Sequence, residues 1–424
     1  MMKTLINGFG KWVIGILLIL TASTTSVQAA RDSAQMNIYQ GKIIDAETGA
    51  PIMYASVFIE GTNIGTVANA EGEFMLKAPV ANGGRIGFSH LGYKTVFLGR
   101  NELKASGNVI VLKPEVVSLQ EIIVRVEDPE LIIKGALSNI SKNYSRKPAM
   151  VNGFYRETIQ QNKRYVSVAE AVLEAYKSPY NNYFANDKVK VLIGRKSQDV
   201  KKMDTIVVKF QGGPILPFYI DIAKNPENLI NESFFNQYTL KLTGQVSLDD
   251  IRCYVVEFKQ RKDVDLPLYE GKFYIDVNNL AFVAAEFSVS EYGLPYATTT
   301  YVKRKPATMK VDILRANYFV KYNKMGDIWQ LAYTRSELAF KCKWPKRLFS
   351  SNYIITTEMA VTDIDYDNVE KIKIAEAFKP SEIFSERVED FRNDDFWGDY
   401  NIIVPEESVL NAIKKLNRKL MRHQ

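Results

Sequence analysis

The residues best suited to nucleophilic catalysis or metal binding are scarce in this chain. The 424 residues include two histidines, His90 and His423, and two cysteines, Cys253 and Cys342. A catalytic zinc site needs three protein ligands beside an open position, and a cysteine nucleophile needs a basic partner. His90 lies in a turn-rich stretch and His423 is the penultimate residue. The pattern therefore predicts no metal site, no cofactor and no catalytic residue.

Paired carboxylates are the remaining candidates for acid–base chemistry. Asp249 and Asp250 are adjacent, and Glu286 and Glu291 share a strand-rich stretch. A glycosidase needs two carboxylates at a defined separation across a cleft, and no G-x-S-x-G or H-E-x-x-H motif accompanies these acids. We interpret them as exposed strand and turn charges. A carboxylate-dependent hydrolase stays as the last alternative.

The two cysteines have two interpretations. Cys253 lies in the segment CYVVEF and Cys342 in FKCKWP, and both segments have the composition of strands. An exported protein can form a disulfide, but the sequence does not fix the distance between the two Cα atoms. The residues either pair or serve as small side chains within strands.

Alternating apolar residues provide the candidate ligand-binding surface. The stretch YEGKFYIDVNNLAFVAAEFSVSEYG supplies Phe273, Ile275, Val277, Phe282 and Phe287, with Ala284 nearby. A period of two shows that one face of a strand is buried, without showing by what. These residues therefore either line a site for a hydrophobic ligand or form an ordinary core.

Long strands must position this set. Alternating segments run from about residue 153 to residue 364, with turns expected at 161–163, 278–279 and 324–327. Such a meander predicts a broad, twisted antiparallel sheet with one face that needs cover. Residues 206–236 interrupt it with a Gly- and Pro-containing, aromatic-rich insertion. We expect a packed loop there, with a lid or recognition loop as the functional alternative.

The first 29 residues have the composition of a secretory signal. Lys3 and Lys11 precede the apolar run, and Val27-Gln28-Ala29 offers a small-residue cleavage site. The mature chain is expected to begin near Ala30 and to be periplasmic or associated with the outer membrane. Export excludes nucleic acid as a partner, and a net charge of +7 favours acidic surfaces only weakly.

Residues 40–98 have the pattern of a β-sandwich. Short apolar and β-branched segments alternate with turns that contain Gly, Pro, Asn or Asp. The stretches GKIIDAETGAPIMYASVFIEGTNIGTVANAEGEFML and IGFSHLGYKT closely resemble the carboxypeptidase regulatory-like domain, a transthyretin-like sandwich common in envelope proteins of Bacteroidetes. The resemblance implies seven strands and a folding or interaction module without peptidase activity.

Helices are expected at two places. Asp128 and Pro129 can cap and start a helix that extends to about Tyr144. At the other end of the chain, Val409, Ile413, Leu416 and Leu420 share one side of a final helix whose remaining surface is basic. This last helix either docks on the sheet or makes peripheral contact with an anionic membrane.

Together these patterns predict a mainly β protein, in which an N-terminal seven-stranded β-sandwich precedes a larger α+β domain with a twisted antiparallel sheet. The expected divisions are a signal peptide (1–29), a carboxypeptidase regulatory-like sandwich (37–114), a linker strand and helix (115–150), a large sheet domain (151–380) and a C-terminal acidic segment with a helix (381–424).

The order of strands in the large sheet also resembles the half-barrels of periplasmic lipoprotein carriers. That resemblance implies an apolar surface for acyl chains or for a hydrophobic partner segment. We therefore expect a non-catalytic envelope protein that binds a lipid, another hydrophobic ligand or an envelope protein. A structural or assembly module of the outer membrane without a ligand is the alternative.

Overall fold

The computed structural model describes residues 35–81, 83–115, 128–182, 184–199, 209–210, 213–230, 232–345, 350–390 and 396–421. The predicted signal peptide and part of the predicted linker lie outside these ranges.

The N-terminal region is a sandwich of two sheets. A three-stranded sheet has the order β4-β1-β7, and a four-stranded sheet has the order β3-β2-β5-β6. Inward-facing side chains such as Ile43, Val57, Phe74 and Phe88 are fully buried between the sheets. The predicted seven-stranded sandwich is therefore confirmed. Its strands are β1 (Met36–Asp45), β2 (Ser56–Ile59), β3 (Gly65–Val67), β4 (Glu73–Pro79), β5 (Ile86–Ser89), β6 (Val96–Leu98) and β7 (Asn108–Leu112).

One turn of the sandwich requires glycine. Gly72 has a φ of 76°, and a Cβ atom there would lie 2.6 Å from the carbonyl oxygen of Ile43. The turn is closed by Asn69, whose side-chain oxygen accepts hydrogen bonds from the backbone N–H groups of Glu71 and Glu73. Both the positive φ and the close backbone packing therefore favour glycine at this position.

The large sheet contains eleven strands in the order β12-β13-β14-β15-β17-β18-β19-β8-β9-β10-β20. Neighbouring strands are antiparallel except for β10 and β20, which pair in parallel. The short strands β11 and β16 form a separate pair. The strands are β8 (Ala149–Gln161), β9 (Arg164–Lys177), β10 (Lys188–Gln198), β11 (Lys209–Phe210), β12 (Tyr238–Leu248), β13 (Ile251–Gln260), β14 (Tyr269–Asp276), β15 (Phe282–Val289), β16 (Val302–Arg304), β17 (Lys310–Met325), β18 (Ile328–Lys343), β19 (Ser351–Asp365) and β20 (Glu389–Asp390).

Tight turns connect the long strands of this sheet. Asn162 and Lys163 join β8 to β9 with φ values of 48° and 63°, and Asp249 and Asp250 join β12 to β13 with values of 54° and 60°. Two consecutive residues with positive φ match the twist of a two-residue hairpin. The turn expected at 161–163 is present. The adjacent carboxylates Asp249 and Asp250 are turn residues.

The described helices are α1 (Pro129–Ser138), α2 (Ile140–Asn143), α3 (Leu216–Tyr219), α4 (Thr298–Tyr301) and α5 (Glu407–Met421). The side chain of Asp128 caps α1 by accepting a hydrogen bond from the Glu130 N–H at 2.9 Å. The helix expected to continue to about Tyr144 is broken at Asn139, whose ψ of 1° departs from helical values. Helix α2 then continues the chain.

The two faces of the large sheet have different covers. We call one the helix face: its apolar side chains, including Val256, Phe258 and Phe273, pack against α1, α2 and the segment 213–230. We call the other the sandwich face: there Phe154 and Tyr333 pack with Val67 of the sandwich and with the C-terminal segment 396–403. Side-chain alternation along each strand separates the two surfaces.

Both cysteines are buried free thiols. Cys253 lies in β13 and Cys342 in β18, and burial raises the pKa of the Cys342 thiol to about 11. A thiol with a raised pKa is a poor nucleophile at neutral pH. Of the two interpretations drawn from the sequence, the structure supports small strand residues and not a disulfide.

Candidate functional site

The candidate ligand-binding residues lie in different environments. Phe273, Ile275 and Phe282 are at most 1 % exposed, and the Phe273 ring packs on Phe258 with centroids 4.5 Å apart. Val277 is half-buried beyond the end of β14. Phe287 is the member of the candidate set that reaches a cavity. Ligand contact by the other residues remains a prediction, while their packing is that of a core.

Ala284, which accompanied this set in the sequence, is fully buried. It pairs with Lys321 of β17, and the Lys321 ammonium donates a hydrogen bond to Ser56 of the sandwich at 2.8 Å. Ala284 therefore belongs to the sandwich face.

A cavity of about 460 Å³ lies on the helix face of the sheet, beneath the segment 213–230. Its volume falls within the range of roughly 300 to 1,000 Å³ that is typical of small-molecule sites. Aliphatic and aromatic side chains dominate its surface, and none of the described lining residues carries a charge. The lining comprises Leu216, Tyr219, Ile220, Ile222, Asn225, Asn228, Leu229, Tyr269, Phe287, Thr300, Tyr301, Tyr318 and Pro380.

Aromatic rings from three neighbouring strands form the floor of this cavity. Phe287 of β15 stacks on Tyr318 of β17 at 5.0 Å between ring centroids, and Tyr269 of β14 meets Phe287 edge-on at 5.6 Å. Tyr269 also meets Tyr318 edge-on at 6.2 Å. Offset and edge-on packing of this kind fixes ring orientations. These ring contacts therefore fix the shape of the floor.

Tyrosine hydroxyl groups give the cavity its polar end. The Tyr318 hydroxyl donates a hydrogen bond to the Tyr301 hydroxyl at 2.8 Å, and the Tyr269 side chain lies beside Tyr301. Burial raises the pKa of Tyr301 and Tyr318 far above the usual range of a phenol. Both groups therefore stay protonated and uncharged at physiological pH.

The segment over the cavity is anchored by a buried carboxylate. Asp221 is fully buried and accepts hydrogen bonds from the hydroxyls of Tyr322, at 2.7 Å, and Tyr180, at 3.0 Å. It also forms an ion pair with Lys177 of β9 at 2.8 Å. Ion pairs of this kind need their remaining polar atoms satisfied, and Lys177 meets a second carboxylate, Asp187, at 2.6 Å. The segment 213–230 is thus fixed to the sheet at its centre.

A second lysine secures the end of the same segment. The Lys224 ammonium donates hydrogen bonds to the carbonyl oxygens of Pro179, at 2.7 Å, and Asn182, at 2.6 Å. Burial lowers its pKa to about 8. The described residues 213–230 of the predicted insertion therefore form a packed cover with specific anchors, and a role as a lid stays a prediction. Residues 206–208, 211–212 and 231 of that insertion lie outside the described ranges.

The sequence analysis missed the tyrosines of the cavity. Tyr269 lies two and four residues before Gly271 and Phe273 on the same strand, so continuing the period-two pattern would have included it. Tyr301 belongs to the short helix α4, and Tyr318 belongs to β17. No local pattern links these two residues, because the sheet register and a connecting segment bring them together.

The sandwich face contains a buried network of charges. Arg156 of β8 lies 2.8 Å from Glu170 of β9 and 3.0 Å from Glu358 of β19. Arg195 pairs with the other oxygen of Glu170 at 2.9 Å, and Arg335 pairs with Glu358 at 3.4 Å. Burial opposes ionisation of Glu170, but the two arginines outweigh it and hold its pKa below the usual range.

The C-terminal segment closes this network against the sandwich. Arg156 donates a hydrogen bond to the carbonyl oxygen of Ile403 at 2.7 Å, and Arg195 lies 4.7 Å from the centre of the Trp397 ring. On the opposite side, the Asn401 side chain forms two hydrogen bonds with the backbone of Lys77 in β4. The segment 396–403 therefore joins the sandwich to the large sheet.

The apolar stripe of helix α5 is buried in the protein. Val409, Ile413 and Leu416 are at most 4 % exposed, and the first two pack with Val168 of β9. The stripe therefore docks on the sheet, which is one of the two predicted roles of this helix. Membrane contact remains a prediction for the exposed residues Lys414, Lys415 and Arg418, since basic groups bind anionic lipid by charge.

The potential catalytic groups do not form a recognisable centre. His90 is half-buried beside Tyr93, and burial lowers its pKa to about 4, while His423 lies outside the described residues. Glu286 accepts a hydrogen bond from Tyr274, and Glu291 is exposed. Within the described ranges, no three potential metal ligands cluster. In the same ranges, no helix has the length and apolarity to cross a bilayer.

Comparison with known families identifies the first part of the chain. The model of the CarboxypepD_reg-like domain matches residues 39–124, which confirms the resemblance inferred from the sequence. The match covers about a fifth of the protein, and the bacterial group suggested by that resemblance stays a prediction. No curated protein sequence matches the chain.

Solved structures similar to the chain cover more than half of it at low identity. A DUF1329 family protein from Desulfovibrio piger is 13% identical, with 58% of this chain and 96% of that chain covered and a TM-score of 0.22. A LolA superfamily protein from Nitrosomonas europaea is 11% identical, with 57% and 96% covered and a TM-score of 0.24. MucB, solved in complex with MucA(peri), is 10% identical, with 57% and 100% covered and a TM-score of 0.18. TM-scores this low do not establish a shared function.

Proposed function

We propose that this protein is an exported, non-catalytic cell-envelope protein that binds a hydrophobic ligand on the helix face of its large sheet. The observation that carries the proposal is the cavity of about 460 Å³ bounded by aromatic rings of the sheet and by the segment 213–230. An apolar site that is already formed saves the ligand the cost of ordering it.

The positions of the sandwich and the cavity on opposite faces of the sheet support this proposal. The sandwich and the C-terminal segment pack on one face of the sheet, and the cavity lies on the other. Ligand binding can therefore proceed without separating the sandwich from the sheet. In this proposal the residues 37–114 form an interaction or folding module, the residues 151–380 form the binding domain, and the signal of residues 1–29 directs export.

Access to the cavity is provided by exposed side chains at its edge. Tyr219 is 44% exposed, and Asn228, Thr300 and Pro380 are exposed as well. A ligand that enters here passes from solvent to the buried floor around Phe287. The mixture of exposed and buried lining residues is expected for a cleft and not for a sealed packing defect.

The test is occlusion of this entrance. Thr300→Trp places a large ring at the edge of the cavity, whereas Thr299→Trp adds the same ring to the adjacent exposed position of helix α4, outside the lining. The mature protein and both variants are titrated with the uncharged fluorophore N-phenyl-1-naphthylamine. We expect saturable binding by the unaltered protein and by Thr299→Trp, and a loss of at least about tenfold in affinity for Thr300→Trp.

A second measurement distinguishes the ligand from a protein partner. The mature protein is purified gently from its own envelope, and both extracted lipids and bound proteins are identified by mass spectrometry. Stoichiometric lipid supports the proposal. A lipid-free protein with a constant protein partner, together with no fluorophore binding, overturns it and favours an assembly module.

A further inference from the structure

The polar end of the cavity is a cluster of three tyrosine hydroxyl groups. Tyr318 and Tyr301 are joined by a hydrogen bond of 2.8 Å, and the Tyr269 side chain lies beside Tyr301. The rings of Tyr269 and Tyr318 both pack against Phe287. The hydroxyls are therefore fixed in position at one end of an otherwise largely apolar volume.

The cluster has hydrogen-bonding capacity left over. Each phenol supplies one donor and accepts through its lone pairs, and the bond from Tyr318 to Tyr301 consumes one of the three donors. At least one O–H group and several lone pairs remain. They suit a ligand that carries a hydroxyl, ester or amide group, which can accept one hydrogen bond and in some cases return another.

The two asparagines of the lining are engaged elsewhere. Asn225 and Asn228 use their amide N–H groups to bind the carbonyl oxygens of Phe218 and Tyr219, within their own segment. None of the described lining residues is an acid or a base. A carboxylate that entered would exchange its water for uncharged partners and would lack a counterion, which is unfavourable in a site of low polarity.

We propose that the cavity selects amphiphiles that join a hydrocarbon tail to an uncharged polar head, and that Tyr301 and Tyr318 recognise this head by hydrogen bonding. This inference rests on the proposed function, because it names the class of ligand for the same cavity. An alkyl alcohol or a neutral acyl ester fits this description, and a free fatty acid at neutral pH does not.

Three compounds of equal chain length test the selection. Decane, 1-decanol and decanoate are used at pH 8 to displace N-phenyl-1-naphthylamine from the mature protein. We expect 1-decanol to displace the fluorophore at concentrations about tenfold lower than either decane or decanoate. The double variant Tyr301→Phe and Tyr318→Phe retains both rings and should abolish the advantage of the alcohol over the alkane, without changing the affinity for decane.

The matched control is Tyr296→Phe, which removes a hydroxyl from a residue that is 41% exposed and outside the lining. It should retain the preference for the alcohol. If the double variant fails to fold, the single variant Tyr301→Phe replaces it. The inference is wrong if all three compounds displace the fluorophore equally, or if the preference for 1-decanol over decane survives loss of the two hydroxyls. The proposed function still stands in either case, provided that the mature protein binds the fluorophore. If the mature protein does not bind the fluorophore, both the inference and the proposed function are wrong.

Discussion

On the sandwich face of the large sheet, Arg156 lies between Glu170 and Glu358 in a buried and fully paired network. On the helix face, uncharged tyrosines border a cavity, and packing around that cavity is incomplete. Buried charges must be satisfied in one precise geometry, whereas an apolar cavity accepts different occupants. The contrast indicates that one face fixes the sandwich to the sheet while the other remains available for binding.

The helix face also differs within itself. Near Phe273 the side chains are fully buried and the aromatic rings stack, so this part is a core. Around Phe287 and Tyr318 the same face opens into the cavity. The boundary between core and site therefore runs across a single strand pair, and the following substitutions test the regions on each side of it.

The largest effect is expected for Phe273→Asp. Phe273 is 0% exposed, and a carboxylate in its place would lose its hydration among apolar rings. The cost, several kcal/mol, is comparable to the total stability of a typical domain, about 5–15 kcal/mol. We expect loss of the folded large domain, measured by circular dichroism and by protease resistance. Leu314→Asp, at a position 45% exposed, serves as the control and should remain folded. A folded Phe273→Asp protein that has lost only ligand binding would instead place Phe273 in the site.

A smaller but still large loss is expected for Arg156→Met. The change leaves two buried carboxylates without their shared partner, and breaking such a pair costs about 3–5 kcal/mol. Urea denaturation at pH 7 measures the loss. Arg315→Met, which disrupts a pair with Glu337 on a half-exposed side chain, should cost less than about 1 kcal/mol. Equal losses in the two variants would show that the buried network does not hold the sandwich face together.

The same network predicts that the unaltered protein loses stability at acidic pH. The pKa of Glu170 is lower in the folded state than its ordinary value, so its ion pairs contribute fully above that ordinary value of about 4.3. Stability is lost as the pH falls through the folded-state pKa. The Arg156→Met protein should show a shallower decrease over this range.

An intermediate effect is expected for Asp221→Asn, which tests the anchor of the cavity cover. The substitution removes the charge that pairs with Lys177 and weakens the hydrogen bonds from Tyr180 and Tyr322. We expect a loss of about 2 kcal/mol, since each hydrogen bond to a charged group contributes about 1.5–3 kcal/mol. Limited proteolysis should detect faster cleavage within residues 213–230. The exposed acid Glu227 gives the control, Glu227→Gln. Cleavage unchanged from the control would show that Asp221 does not anchor the cover.

Much of the fold follows from local signals in the sequence. The turn at Asn162 and Lys163 and the cap at Asp128 each depend on nearby residues, and both occur as expected. The break at Asn139 was not foreseen, because the apolar spacing continues through it. Side chains on either side of the break still reach the core, as Ile133 and Ile140 show.

The site was less accessible to sequence analysis than the fold. A period of two identified the buried face of β14 and β15 but could not separate Phe273 in the core from Phe287 at the cavity. That distinction depends on where the segment 213–230 crosses the sheet. Its position is set by Asp221, which is paired with Lys177, a residue 44 positions earlier in the chain. Such long-range pairings leave no periodic signal.

The smallest effect concerns Glu157 on the helix face. Glu157 is half-buried in β8 and accepts a hydrogen bond from Tyr155 at 3.2 Å, and burial raises its pKa to about 7. Because this pKa lies above the ordinary value of about 4.3, the folded state binds the proton more tightly, and stability decreases as the pH rises from about 4 to 7. Glu157→Gln should remove this slope and stabilise the protein by about 1–2 kcal/mol at pH 8, measured by urea denaturation at several pH values.

The half-buried Glu337, which already pairs with Arg315, provides the matched control Glu337→Gln. This control should not stabilise the protein at pH 8. If the Glu157→Gln protein keeps the original dependence of stability on pH, the helix face tolerates a charge at this position. The difference between the two faces in accommodating charge would then be confined to the cavity itself.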